Sequence, residues 1–114
     1  MVFTLEHDPI DDSHLIVAGG ELDLGATDEM SALFVMAIAG PQSAVILDLT
    51  GVEFIDSSAL GTILRAAQQI EGAGKRLHVV ATEGAVRRLL EITGVAQIFR
   101  LHLTRADALQ AAGG

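Results

Sequence analysis

Apolar and polar positions alternate from Val2 to Glu6, the period of a strand with one face buried, and Leu15 to Ala18 makes a second short apolar run. Between them His7-Asp8-Pro9 and Asp11-Asp12-Ser13 supply turn chemistry, which predicts two neighbouring strands. After a break at Gly19-Gly20 the period changes: Met30, Leu33, Phe34, Ala37 and Ile38 recur at helical spacing until Gly40-Pro41 stops them. Ala44-Val45-Ile46-Leu47 is a continuous apolar run, the pattern of a central strand covered on both faces.

The second half repeats this grammar. From Ser57 the positions Leu60, Ile63, Leu64, Ala67 and Ile70 keep one helical face and end near Gly72 and Gly74. Leu77 to Ala81 predicts another buried strand, Val86, Leu89 and Leu90 a third helix closed by Gly94, Ile98 to Leu103 a weaker strand, and Thr104 to Ala112 a last helix. Strands that alternate with helices imply parallel crossovers, while two adjacent strands at the start imply a hairpin. The expected fold is therefore a single α/β domain over residues 1–114, with a mixed four- to five-stranded sheet and about four helices. Half the residues are apolar and only 4% are aromatic, so the core is expected to be built from Leu, Ile, Val and Ala.

Charge narrows the partners. A net charge of -8 with seven scattered basic residues argues against nucleic acid, because phosphate contacts need clustered Lys and Arg. No apolar run approaches the roughly 18 to 20 residues that span a bilayer, and no basic-then-apolar leader follows Met1. The absence of cysteine removes disulfides and thiolate chemistry and fits a reducing cytoplasm. A protein partner is the expectation, and a homo-oligomer is compatible with it.

The chemically informative segment is Asp48-Leu-Thr-Gly-Val-Glu-Phe-Ile-Asp-Ser-Ser-Ala-Leu-Gly61, which leaves the central strand and enters the second helix through Asp56, Ser57 and Ser58. Taken on spacing alone, helix capping explains one of these side chains, since Asp or Ser there accepts a bond from a free backbone N–H. Capping leaves a second serine unexplained, and the carboxyl end of a strand is where open α/β sheets place their sites. Ser57 is then an addressable hydroxyl.

Asp-Ser-Ser-Ala-Leu-Gly after a buried strand resembles the Asp-Ser-Ser-Gly-Leu-Gly signature of STAS domains of the anti-sigma factor antagonist type, and Gly20-Glu21-Leu22-Asp23 is similar to a second motif of that family. The resemblance spans essentially the whole chain and includes the Ala85-Val86-Arg87-Arg88-Leu89 helix start. It implies a STAS fold and a partner switch. The unmodified domain binds an anti-sigma factor that is also a serine kinase, freeing a sigma factor; phosphorylation at Ser57 ends the interaction, and a PP2C-type phosphatase resets it. The implied contact residues are Asp23, Asp56, Ser57, Ser58, Ala59 and Gly61. Ala59 stands where the family has glycine, which places an added methyl where the kinase approaches.

Other chemistry is poorly supported. Gly72-Ala-Gly-Lys75 lacks the first glycine of a phosphate loop, because position 69 is Gln, and Arg76 stands where Ser or Thr would hold magnesium. His7, His14, His78 and His102 have no paired metal-ligand spacing, so neither metal nor cofactor is expected. No Gly-x-Ser-x-Gly surrounds either serine and no base is placed for Ser57, so the chain is not expected to be an enzyme. Two alternatives of another class remain: a non-catalytic subunit of a lipid-transport or stress-scaffold complex, and a receiver-like domain with Asp48 as phosphoaspartate and Asp11-Asp12 as its acidic pair.

Overall fold

The computed structural model describes residues 2–93 and 98–113. Within them five strands form one sheet in sequential order: β1 (Phe3–Ile10), β2 (Ser13–Leu22), β3 (Ala44–Ile55), β4 (Arg76–Val80) and β5 (Arg100–His102). β1 and β2 are antiparallel and the remaining pairs parallel, so the mixed sheet predicted from the connections is present. Among the described residues four helices accompany it: α1 (Thr27–Ala39), α2 (Ser57–Gly72), α3 (Ala85–Ile92) and α4 (Arg105–Gly113), with a short 3-10 turn at Leu24–Ala26. The expected closure of α3 at Gly94 lies outside the described residues.

The strands are longer than the apolar runs suggested. His7-Asp8-Pro9 does not turn but continues β1, and the reversal is made by Asp11 and Asp12 alone, with Asp11 at φ 52°. Proline is tolerated because β1 is an edge strand. Gly19-Gly20 likewise does not break β2. The register against β3 shifts there, and Gly20 takes φ 81° against the Val2 carbonyl, where a Cβ would lie only 2.3 Å from that oxygen. β3 runs on past Leu47 to Ile55, which carries its carboxyl end to the mouth of α2.

The sheet is covered unequally. Ile16, Ala18, Val45, Leu47 and Val79 face a large core with Met30 and Phe34 of α1, Ile63, Ala67 and Ile70 of α2, and Leu90 of α3. Leu15, Ile46 and Val80 face a smaller cluster closed by Ala108 of α4. Truncating a fully enclosed member such as Ile63 to alanine removes about 2–5 kcal/mol of stability. Lys75 ties the layers together, donating from Nζ to the Ala37 and Gly40 carbonyls at the carboxyl end of α1 at 3.2 and 2.6 Å.

Candidate functional site

The β3–α2 junction assigns a different task to each of its three polar side chains. Asp56 is the N-cap of α2, and its Oδ1 accepts from the Ala59 backbone N–H at 2.9 Å. The same oxygen accepts from the Ser58 hydroxyl at 2.6 Å. The Ser58 hydroxyl first, then the Ala59 N–H, hold the Asp56 carboxyl below the usual carboxylate range, so it is ionised at neutral pH. Ser57 is exposed on the first turn, and among the described residues its hydroxyl has no side-chain hydrogen bond. The hydroxyl left over after capping is therefore that of Ser57.

Asp23 reaches the same end of the sheet through strand pairing. Leu22 lies opposite Ile55, and the Asp56 N–H donates to the Leu22 carbonyl at 3.0 Å, which sets Asp23 alongside the α2 start. Asp23 caps the 3-10 turn, its Oδ1 accepting from the Gly25 N–H at 2.9 Å. Two apolar side chains that sequence reasoning passed over stand around this junction: Leu24, 72% exposed, and Phe54, 44% exposed. Their signal was available in the motif itself, since each immediately neighbours a position already singled out or its strand, yet neither fits a core periodicity.

Ala59 departs from the expectation. It is fully buried and belongs to the larger core, so its methyl does not stand in the path of an approaching protein. The reason is helical phase: at about 100° per residue, Ser57 and Gly61 share the outer side of α2 while Ala59 points almost oppositely. Gly61 is half-buried on the outer stripe.

The remaining candidates are occupied structurally. Asp48 is buried, and its Oδ1 accepts from the Thr50 N–H and hydroxyl at 2.9 and 2.6 Å while Oδ2 accepts from Arg105 Nε at 2.8 Å. Burial raises its pKa, but these bonds more than offset it and the net shift is downward. Asp12, the supposed partner of a phosphoaspartate, instead accepts from the Ser43 N–H and hydroxyl at the amino end of β3. The histidines do pair, although not as sequence spacing could show: His7 and His14 are 3.1 Å apart across β1 and β2, and His78 and His102 are 2.9 Å apart across β4 and β5. No group of three metal-ligating side chains occurs among the described residues.

Among the described residues, Ser57 is thus left without a side-chain partner at the carboxyl end of a parallel strand, next to the Asp56 cap and with Asp23 alongside. The STAS domain family model matches residues 6–108, and the chain belongs to that family. It is 33% identical over 96 residues to the anti-sigma-F factor antagonist RsfB of Mycobacterium tuberculosis, covering 84% of this chain and 78% of that protein. The crystal structure of an anti-sigma factor antagonist from Mycobacterium paratuberculosis superposes with a TM-score of 0.90 at 26% identity, covering 99% of this chain and 96% of that one. The anti-sigma factor antagonist SpoIIAA shares the fold in its unphosphorylated form, with a TM-score of 0.81 at 22% identity, covering 97% of each chain. The Bacillus cell fate determinant SpoIIAA in its phosphorylated form shares the fold as well, with a TM-score of 0.74 at 21% identity, covering 95% of this chain and 98% of that one. No helix among the described residues is long and apolar enough to cross a membrane.

Proposed function

We propose that the protein is an anti-sigma factor antagonist that binds an anti-sigma factor with serine kinase activity while Ser57 is unmodified, and is released when Ser57 is phosphorylated. The observation that carries this reading is the division of labour at the α2 start, where Asp56 caps, Ser58 braces Asp56, and exposed Ser57 has no side-chain partner among the described residues. In the forward step the Ser57 oxygen takes the γ-phosphoryl group of ATP, ADP leaves, and the hydroxyl proton passes to the kinase's base. A PP2C-type phosphatase reverses it by transferring the phosphoryl group to water. The chain acts as a binding module and not as a catalyst, in the cytoplasm where sigma factors work.

The electrostatics support release without refolding. A phosphoserine adds about -1.5 to -2 charges, which the free N–H groups and dipole of a helix start tolerate. A protein seated on Leu24 and Phe54 would have to desolvate that charge beside Asp23 and Asp56. A loss of only about 3 to 4 kcal/mol weakens binding more than a hundredfold. That the fold is common to unphosphorylated and phosphorylated SpoIIAA agrees with a switch confined to the surface.

The test is capture from native lysate on wild type, Ser57→Ala and Ser57→Asp, with identification of what binds differently. The reading expects an anti-sigma factor on the first two and its loss from the third. Equal capture of the same proteins by all three would reject Ser57 as the switch.

A further inference from the structure

α2 carries a single basic side chain, Arg65, eight residues beyond Ser57. Ser57, Gly61 and Arg65 fall at i, i+4 and i+8, one inclined stripe on the outer side of the helix. Arg65 does not extend into solvent along its own turn but lies back over the turn before it. A Cβ built on Gly61 would sit 3.3 Å from Arg65 Nη1, and Arg65 Nη2 donates to the Thr62 hydroxyl at 3.3 Å. That hydroxyl in turn donates to the Ser58 carbonyl at 3.1 Å. Among the described residues Arg65 has no ion pair, and the other charged side chain of α2, Glu71, is a turn and a half further on.

We infer that Arg65 is the internal counter-charge for a phosphate on Ser57, and that Gly61 keeps the path between them open. The inference rests on the reading of Ser57 as the modified residue. The reach is sufficient. Eight residues of helix rise about 12 Å, and the guanidinium already covers about half of that by lying over Gly61. A phosphoserine extends about 4 to 5 Å from its Cα and a charge-assisted N–H···O bond closes about 2.8 Å more, so rotation about existing side-chain torsions joins the two groups. The bond given up, a 3.3 Å contact to a neutral hydroxyl, is the weaker one. Any side chain at position 61 would stand in this lane.

Phosphorylation then changes the docking face twice. It adds a dianion at Ser57, and it draws toward that phosphate the only cation on α2, which in the unmodified protein is held by the neutral Thr62 hydroxyl.

The experiment installs phosphoserine at position 57 by genetic encoding, so that it needs no kinase, and follows the second ionisation of the phosphate by phosphorus NMR at low salt in wild type, Arg65→Gln and Arg65→Lys. An adjacent cation favours the dianion, so the wild-type pKa lies below that of Arg65→Gln by about half a unit, about threefold in the dissociation constant, as expected for an exposed pair. Arg65→Lys recovers part of the difference, and 1 M salt shrinks it. Wild type and Arg65→Gln agreeing within about 0.1 unit, with both folded by circular dichroism, overturns the inference. A kinase that never modifies Ser57 would remove the functional reading and leave this result standing.

Discussion

Asp56 holds Ser58 and not Ser57: the Ser58 hydroxyl donates to Asp56 Oδ1 at 2.6 Å, while the serine one residue earlier has no side-chain partner among the described residues. Two adjacent serines at one helix start are thereby made chemically unequal, since one is already committed to a charge-assisted bond before any kinase arrives.

Selectivity between them follows. Modifying Ser58 would require breaking its bond to Asp56, and a cost of about 1.4 kcal/mol corresponds to tenfold. A cognate kinase is expected to place phosphate on Ser57 at least about tenfold faster than on Ser58, and Ser57→Ala to remain folded and unmodified. Intact-mass analysis with peptide mapping reads this directly, and phosphate found mainly on Ser58 would contradict it.

Ala59 supplies a prediction opposite to the one its position in the motif invites. Because its methyl is enclosed, Ala59→Gly acts on stability: a helix position loses about 1 kcal/mol of propensity and somewhat under 1 kcal/mol of methyl burial. Urea denaturation is expected to show a loss of about 1–2 kcal/mol, with partner affinity unchanged once the folded fraction is accounted for.

The Asp48–Arg105 pair fastens the start of α4 to β3. Arg105→Ala is expected to destabilise the fold by about 1–2 kcal/mol, the lower part of the range for charge-assisted bonds because nearly half of Arg105 is in water. Since the folded pKa of Asp48 is depressed, its contribution is present above its usual value of 3.8 and is lost as pH falls through the folded value. Wild type is therefore expected to converge on Arg105→Ala in strongly acidic solution.

His78 has the reverse charge chemistry. Burial first, then the positive charges of His102, Arg100 and Arg76, depress its pKa from the usual 6.5 to about 4, and its Nε2 has no hydrogen-bond partner among the described residues. Between pH 6.5 and 4 the unfolded chain takes up a proton that the folded protein refuses, so stability falls as pH falls through that window. Denaturation midpoints measured across it are expected to slope less in His78→Leu than in wild type, with His14 and His102, whose values are also lowered by burial, retaining part of the slope.

Element types and topology were legible in the sequence because each apolar run kept the period of its element, as in Leu60, Ile63, Ala67 and Ile70 of α2. Strand lengths were not, because Pro9, Gly19 and Gly20 are tolerated only through an edge position and a bulge that the sheet supplies. At the site, the motif identified Asp56, Ser57 and Ser58 and the family resemblance pointed to Ser57, but what sets Ser58 apart from it was not legible. That depended on hydrogen-bond geometry at one carboxylate oxygen. The exposure of Leu24 and Phe54 and the cross-strand histidine pairs likewise depend on contacts between segments distant in the chain.

The central claim is that the phosphorylation state of Ser57 governs docking. Its most direct measurement is the affinity of the captured anti-sigma factor for the unmodified protein and for the same protein with phosphoserine encoded at 57, compared by calorimetry at one salt concentration. The account predicts a weakening of more than about a hundredfold with the circular dichroism spectrum unchanged. Equal affinities, with the phosphate verified by mass, would contradict it.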